Sequence, residues 1–448
     1  MSAALLRWRP RWLDAAESSV LLSRAVNVML GPVITLAIGI FFSPELQGYY
    51  YFFASIVAAA NFFEAGVSTA IIQFAAHEAG KLKLDFHGHI SGPEQAQQRL
   101  AATFRFAVKW FWSAAAIATF CIGGLGWTFL AGRDDQVDWM LPFIVLVLSL
   151  GLNFAIQPFF VFLEGAGKVA YVYRGRTASA LVATTARLGM VMAGADLIAI
   201  SLSSIIAVIV GLLFLLPAKK LFSSILKINS QGALDWKSEV WPFQSKIALS
   251  WMAGYFTVAM FTPVLMAVAG PVQAGQIGMT VALLNGCTAL AASFIQAHAP
   301  ALGGYAGAGQ WKELNRLFFV KAKRSIGGGA TLISAVTLFF VVLQLFRVPI
   351  ADRVVGAGAF VLLALGFFAY HCEGVLAFYV RAQKREPYFM LEILGAIVIF
   401  PCTFFLGRAW GAWGVSMGFA AAHLLLLLPM ALWILKQNQK GSFFSAPC

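Results

Sequence analysis

Twelve apolar runs, each long enough to cross a bilayer as a helix, follow one another along the chain: 20–42, 49–76, 110–130, 140–163, 178–194, 198–217, 247–269, 276–299, 327–346, 357–380, 388–407 and 411–435. The connections between them alternate in length. Those after the odd-numbered runs are short, such as "SPELQG" and "GPVQAGQ", whereas those after the even-numbered runs reach about thirty residues, as in 218–246. The pattern predicts an all-α polytopic membrane protein. Its parts are an N-terminal segment (1–19), a first lobe of helices 1–6 (20–217), a linker (218–246), a second lobe of helices 7–12 (247–435) and a tail (436–448).

Basic residues settle the expected orientation. Of the 32 Lys and Arg, 26 fall in the two terminal segments and the connections after even-numbered runs, four (Arg133, Arg347, Arg353 and Arg408) fall in those after odd-numbered runs, and Arg24 and Arg187 lie inside spans. Because basic loops stay on the cytoplasmic side, both termini are expected inside. The net charge of +13 then reports orientation and contact with anionic membrane lipid rather than with nucleic acid. The first apolar run contains Arg24 and Asn27 and follows no cleavage pattern, so it is expected to be a retained helix rather than a signal peptide. Charged residues make up only 11% of the chain, against roughly 25% in soluble domains. The five cysteines are scattered and suggest neither a disulfide framework nor a metal site.

The two halves repeat each other. "SRAVNVMLG" (23–31) parallels "SKIALSWMAG" (245–254), "SPELQGY" (43–49) parallels "GPVQAGQ" (270–276), and "IIQFAAH" (71–77) parallels "FIQAHAP" (294–300), at offsets of 222 to 227. "LEGAGK" and "YVRAQK" close the fourth span of each half. Such duplication predicts two six-helix lobes of the same sense around a central cavity, as in many transporters.

These features resemble the polysaccharide transporter family, the flippases of lipid-linked oligosaccharides such as O-antigen units, within the multidrug, oligosaccharidyl-lipid and polysaccharide (MOP) exporter superfamily. The six-plus-six repeat carries the resemblance, with "SPELQGYYYFF" at the start of the second helix, "FFEAGVSTAIIQ" at its end and "LEGAGK" after the fourth. It implies a V-shaped transporter in the bacterial cytoplasmic (inner) membrane that turns an undecaprenyl-diphosphate-linked saccharide from the inner to the outer leaflet by alternating access. It also implies a cationic cavity between the lobes. The partners implied are the lipid-linked saccharide, membrane lipids and polysaccharide polymerase or assembly proteins.

Polar residues inside the spans are the expected cavity lining. Arg24, Asn27 and Gly31 share one helical face, as do Asn61, Glu64 and Ser68; Thr177, Thr184 and Arg187 mark the fifth helix, and Asn285, Thr288 and Gln296 the eighth. Hydrogen bonding between helices in a dry bundle explains the uncharged ones equally well. A guanidinium cannot shed its charge and needs an anion or water. Arg187, read as near the middle of its span, is therefore expected to meet the diphosphate, with Arg24, Asn27 and Lys246 as further cavity residues. Glu64 either pairs with Arg24 or titrates during transport. Glu373, in "YHCEGV", is the other ion-coupling candidate, its alternatives being a pair with Arg381 or a hydrogen bond in the bundle. His298 and His423 read as packed residues. Coupling to H+ or Na+ is expected, with no other cofactor and no bound metal. The absence of a GxxxxGK[ST] pattern argues against direct ATP drive. An antiporter of cationic drugs from the same superfamily is the alternative. A membrane polymerase or ligase would need a larger outer loop for its catalytic groups.

Overall fold

The computed structural model describes residues 15–131, 137–230, 241, 249, 252–383 and 388–444. Every predicted span coincides with a helical segment. In the first half these are α1 (Ala15–Phe41), α2 (Pro44–Ala59), α3 (Asn61–Glu64), α4 (Val67–Ala79), α5 (Glu94–Leu130), α6 (Met140–Gly165), α7 (Val169–Met192) and α8 (Ile198–Leu215), followed by a short amphipathic helix α9 (Lys219–Lys227). The second half has a π-helical turn (Tyr255–Ala259), α10 (Phe261–Val268), α11 (Pro271–Gln296), α12 (Ala299–Gly307), α13 (Trp311–Leu345), α14 (Ala357–Arg381), α15 (Tyr388–Ala421), a second π turn (Ala422–Leu427) and α16 (Leu428–Phe444).

One expectation changes. The second span is not one helix: Ala65 and Gly66 take positive φ, and the helices on either side are bent by 47°. The last two predicted runs are two spans, as expected: within α15 Gly411 (φ 60°, ψ −141°) reverses the chain between them. Behind it the two arms pack antiparallel. Gly414 lies against Leu406, Gly418 against Cys402 and Gly395 against Leu427, and the Tyr388 hydroxyl donates to the Ala431 carbonyl at 2.9 Å. Small residues let these backbones approach closely where no hydrophobic effect drives helices together within lipid.

Long helices also extend past the apolar core. The third span begins at Glu94, well before the apolar run at 110, and carries Arg105 to α9. Arg105 donates to the carbonyls of Leu226 and Ile228 and to Ser230 Oγ at 2.6 to 3.0 Å, so it satisfies the otherwise orphaned C-terminus of that helix. Phe222 of α9 stacks on Phe104 at 5.4 Å, and the connection between the lobes thus starts anchored to the first lobe. A two-residue hairpin, Lys83–Leu84 with Ile90–Ser91, packs its tip at Gly88 against α9. Asp85 closes that tip by accepting from the His89 amide at 3.0 Å.

The lobes meet most tightly at the end that carries the short turns. A Cβ on Gly48 would lie 2.1 Å from the Pro271 carbonyl oxygen, and one on Gly275 would lie 2.8 Å from the Gly48 nitrogen. Across this seam Gln47 Nε2 donates to the carbonyls of Gly275 (2.9 Å) and Arg353 (2.8 Å). Deeper in, proline dictates a second link. Pro263 has no N–H for the Ala259 carbonyl, which accepts instead from Ser55 Oγ of the other lobe at 2.9 Å. Phe62, Tyr255, Phe256 and Phe400 continue the contact as a chain of rings 4.6 to 5.6 Å apart.

Candidate functional site: two adjoining cavities

Between the lobes lies a cavity of about 690 Å³, walled by α1, α2, α7, the π turn at 255, α11 and α14. Its polar groups include Thr35, Tyr50, Tyr51, Arg187, Tyr255 and Asn285. Gly31 and Gly254, near-equivalent positions of the repeat, both face it with no atom within 4 Å of where a Cβ would stand, so they keep it open.

Among the described residues Arg187 is the charged group of this cavity. It sits in the last third of α7, five residues before Met192, because the helix starts at Val169 rather than at 178. It therefore lies about 7.5 Å from the end of the helix at the short turns. The guanidinium donates through Nε to Ser203 Oγ at 2.9 Å and through Nη1 to Tyr50 Oη at 3.3 Å. Both partners are neutral. Among the described residues no carboxylate comes within 4 Å of it and none lines the cavity.

A second cavity, of about 680 Å³, opens within the second lobe and shares Gly254, Asn285 and Tyr370 with the first. Thr257, Thr288 and Gln296 also line it, along with Arg381 and Glu392, which pair with each other at 3.1 Å. Glu373 therefore does not pair with Arg381. Both its oxygens lie 3.0 to 3.1 Å from Nδ1 of His423, in the π turn. His423 is a packed residue, as its sequence context predicts, but its partner was not legible: it is 50 positions away from Glu373, and a lone histidine on an apolar face gives no signal of one. The neighbouring His371 bonds to Ser325 and ties α14 to α13.

The other expected residues fall elsewhere. Glu64 ends α3 at the break in the second span, half-buried, and among the described residues no ion pair engages it. The carboxylate thus occupies a place where backbone groups are freed from helical bonding, rather than a continuous hydrocarbon-facing helix. Arg24 and Asn27 lie on α1, but their side chains are outside the described residues, as is Lys246 altogether.

No protein-family model matches the chain, and no curated protein matches it. Solved structures do match, over nearly its whole length. The MATE multidrug transporter DinF-BH superposes with a TM-score of 0.64 at 14% identity, covering 98% of each chain. The chain has the fold of these transporters. An inward-facing multidrug resistance MATE family transporter of the MOP superfamily gives 0.61 at 12% identity, covering 97% of this chain and 99% of that one. The lipid II flippase MurJ, in an inward closed conformation, gives 0.59 at 14% identity over 94% of this chain and 87% of its own. At such identities the likeness concerns architecture: an all-α polytopic membrane protein with two lobes about a central cavity. A drug transporter and a lipid flippase share it, so the cargo must be argued from the cavity.

Proposed function

We propose that this protein is an alternating-access flippase that carries a lipid-linked saccharide diphosphate from the inner to the outer leaflet of a bacterial cytoplasmic membrane, with the basic end and both termini in the cytoplasm. One observation carries this reading: the central cavity holds a guanidinium bonded only to hydroxyls, with no described carboxylate on its wall. Such a site attracts an anion and repels an organic cation. Arg187 would receive the diphosphate through N–H groups not used by Ser203 and Tyr50, since the planar fork suits phosphate oxygens. Arg24, Asn27 and Lys246 would extend the cationic path toward the cytoplasmic mouth, and Glu64 would pair or titrate there. A polysaccharide polymerase or assembly protein would take the product on the far side.

The test is binding of an undecaprenyl-diphosphate-sugar analogue to the purified protein, wild type against Arg187→Ala and Arg187→Lys, at low and moderate salt. Loss of hydrogen bonds to a charged partner predicts a roughly ten- to hundredfold weaker Kd in Arg187→Ala, with partial recovery in Arg187→Lys. A wild type that ignores the analogue and binds organic cations saturably would refute the reading. The antiporter reading has its own support in the second cavity, where Glu373, Glu392, Tyr370 and Tyr388 offer a cation both carboxylates and aromatic faces.

A further inference from the structure

We propose that Glu373 and His423 form the proton-carrying site of this protein, and that the site takes a proton rather than a sodium ion. The proposal deepens the transport reading above and rests on it. The pair is deep in the second lobe: His423 is 1% exposed and Glu373 7%. The wide π turn at Ala422–Leu427 carries the imidazole toward α14, and the rings of Phe419 (4.5 Å) and Tyr370 (5.2 Å) meet it edge to face. Its Nδ1 reaches both carboxylate oxygens, while its Nε2 is buried with no hydrogen-bond partner among the described residues.

This geometry selects the ion. A hard cation binds through several oxygens. Here an imidazole nitrogen holds the position such an ion would take between the two carboxylate oxygens. A proton needs only that one nitrogen–oxygen contact. Loaded, the pair carries one shared proton and is neutral overall, whether written as carboxylate with imidazolium or as carboxylic acid with imidazole. Empty, it is a carboxylate accepting the Nδ1–H of a neutral ring, with a net charge of −1. A buried unpaired charge is costly, so the empty form is stable only when water reaches it. The cavity supplies a path for that water. It runs from the pair to Arg381 and Glu392, about 12 Å nearer the basic end along α14, and to Tyr370, which is also on the wall of the Arg187 cavity.

Other titratable or charged groups around the pair are accounted for. On α14 these are Tyr370, His371 bonded to Ser325 of α13, Cys372, and Arg381 bound to Glu392 of α15. From α15 comes Tyr388, whose hydroxyl is bonded to Ala431. From α11 come the neutral Asn285, Thr288 and Gln296. None of them donates to or accepts from Glu373 in the described structure, which leaves His423 as its partner.

The experiment is infrared difference spectroscopy on the full-length protein in lipid nanodiscs, titrated across acidic to mildly alkaline pH without cargo, in choline chloride and again in sodium chloride. One pH-dependent band of Glu373, a carboxylic-acid stretch where the shared proton sits on the carboxyl and a shifted carboxylate stretch where it sits on the ring, should be lost in Glu373→Gln and retained at a new position in Glu373→Asp. In His423→Asn its midpoint should move by about one pH unit or more, the size expected when a hydrogen bond to a charged group is removed. Sodium should leave the wild-type midpoint where it is. A midpoint unmoved in His423→Asn, or displaced by sodium, would overturn the proposal, as would a wild-type titration with no band belonging to Glu373. Retention of the Glu373→Asp band separates loss of a proton site from loss of the fold. Because no cargo is present, failed saccharide binding with an intact titration would remove the proposed cargo and keep the proton site. Intact binding with no titration would do the reverse.

Discussion

Placing a single methyl group at the seam between the lobes should change which face of the protein is open. In Gly48→Ala the new Cβ would stand 2.1 Å from the Pro271 oxygen and 2.6 Å from its carbon, where 3.4 Å is an ordinary contact. The shortfall of about 1.3 Å falls on backbone, which cannot rotate aside, so α2 and α11 must separate. Overpacking of this kind costs roughly 1–3 kcal/mol, and every 1.4 kcal/mol is about tenfold in an equilibrium. The conformation closed at the short-turn end should therefore lose about five- to a hundredfold in population relative to one open there. The assay is labelling of a single cysteine at Ala282, on the cavity wall, by a membrane-impermeant maleimide added from the short-turn side, with the native cysteines replaced. Gly48→Ala and Gly275→Ala should raise the labelling rate, the former more. Gly286→Ala, with no atom within 4 Å of its Cβ, should not. A folded Gly48→Ala protein that labels like wild type would refute the argument that this close approach sets the closed state.

Two further outcomes concern the basic end. Arg105→Ala removes three hydrogen bonds to the end of α9, and amide exchange over 219–230 should rise by about tenfold, as expected for a part-exposed charged donor worth about 1.5 kcal/mol. Unchanged exchange would mean that Phe222 and its neighbours hold the helix alone. The carboxyl of Asp85 is held below its usual range, first by the His89 backbone amide and then by the His89 ring. With a lowered folded value, its contribution to the hairpin is complete above about pH 4, the ordinary carboxyl value, and is lost as pH falls through the lowered one. Protection of the His89 amide should follow that course and be flat with pH in Asp85→Asn.

Apolar runs made the helices legible, since among the described residues every predicted span coincides with a helical segment, and the reversal at Gly411 falls on the first residue of the last run. Positions within spans were less legible. Hydropathy begins the fifth run at 178 because Arg174 and Arg176 precede it, whereas backbone hydrogen bonding begins the helix at Val169, so the helix is longer than its apolar run. Glu64 marked something real, a break in its helix, but the positive φ of Ala65 is not written in the residue type. The pairing of Glu373 with His423 depends on how α14 packs against the π turn, and no local period encodes that. The repeat was visible as matching strings, yet nothing in the strings said that equivalent residues touch.

That last contact has a consequence for how the molecule is built. Gly48 and Gly275 are the same position of the repeat, 227 residues apart, and they meet. Where two like halves pair face to face, as in an isologous dimer, a residue that touches its own counterpart lies beside the two-fold axis. Since both halves begin at the basic end, the axis runs along the bundle and passes between these two glycines. The seam is thus the surface one half would use to pair with a copy of itself, as in a parallel homodimer fused into one chain. The chemistry has not kept that symmetry. One half has the guanidinium and the other the carboxylate–imidazole pair, so the halves share a scaffold and differ in the charge they bury.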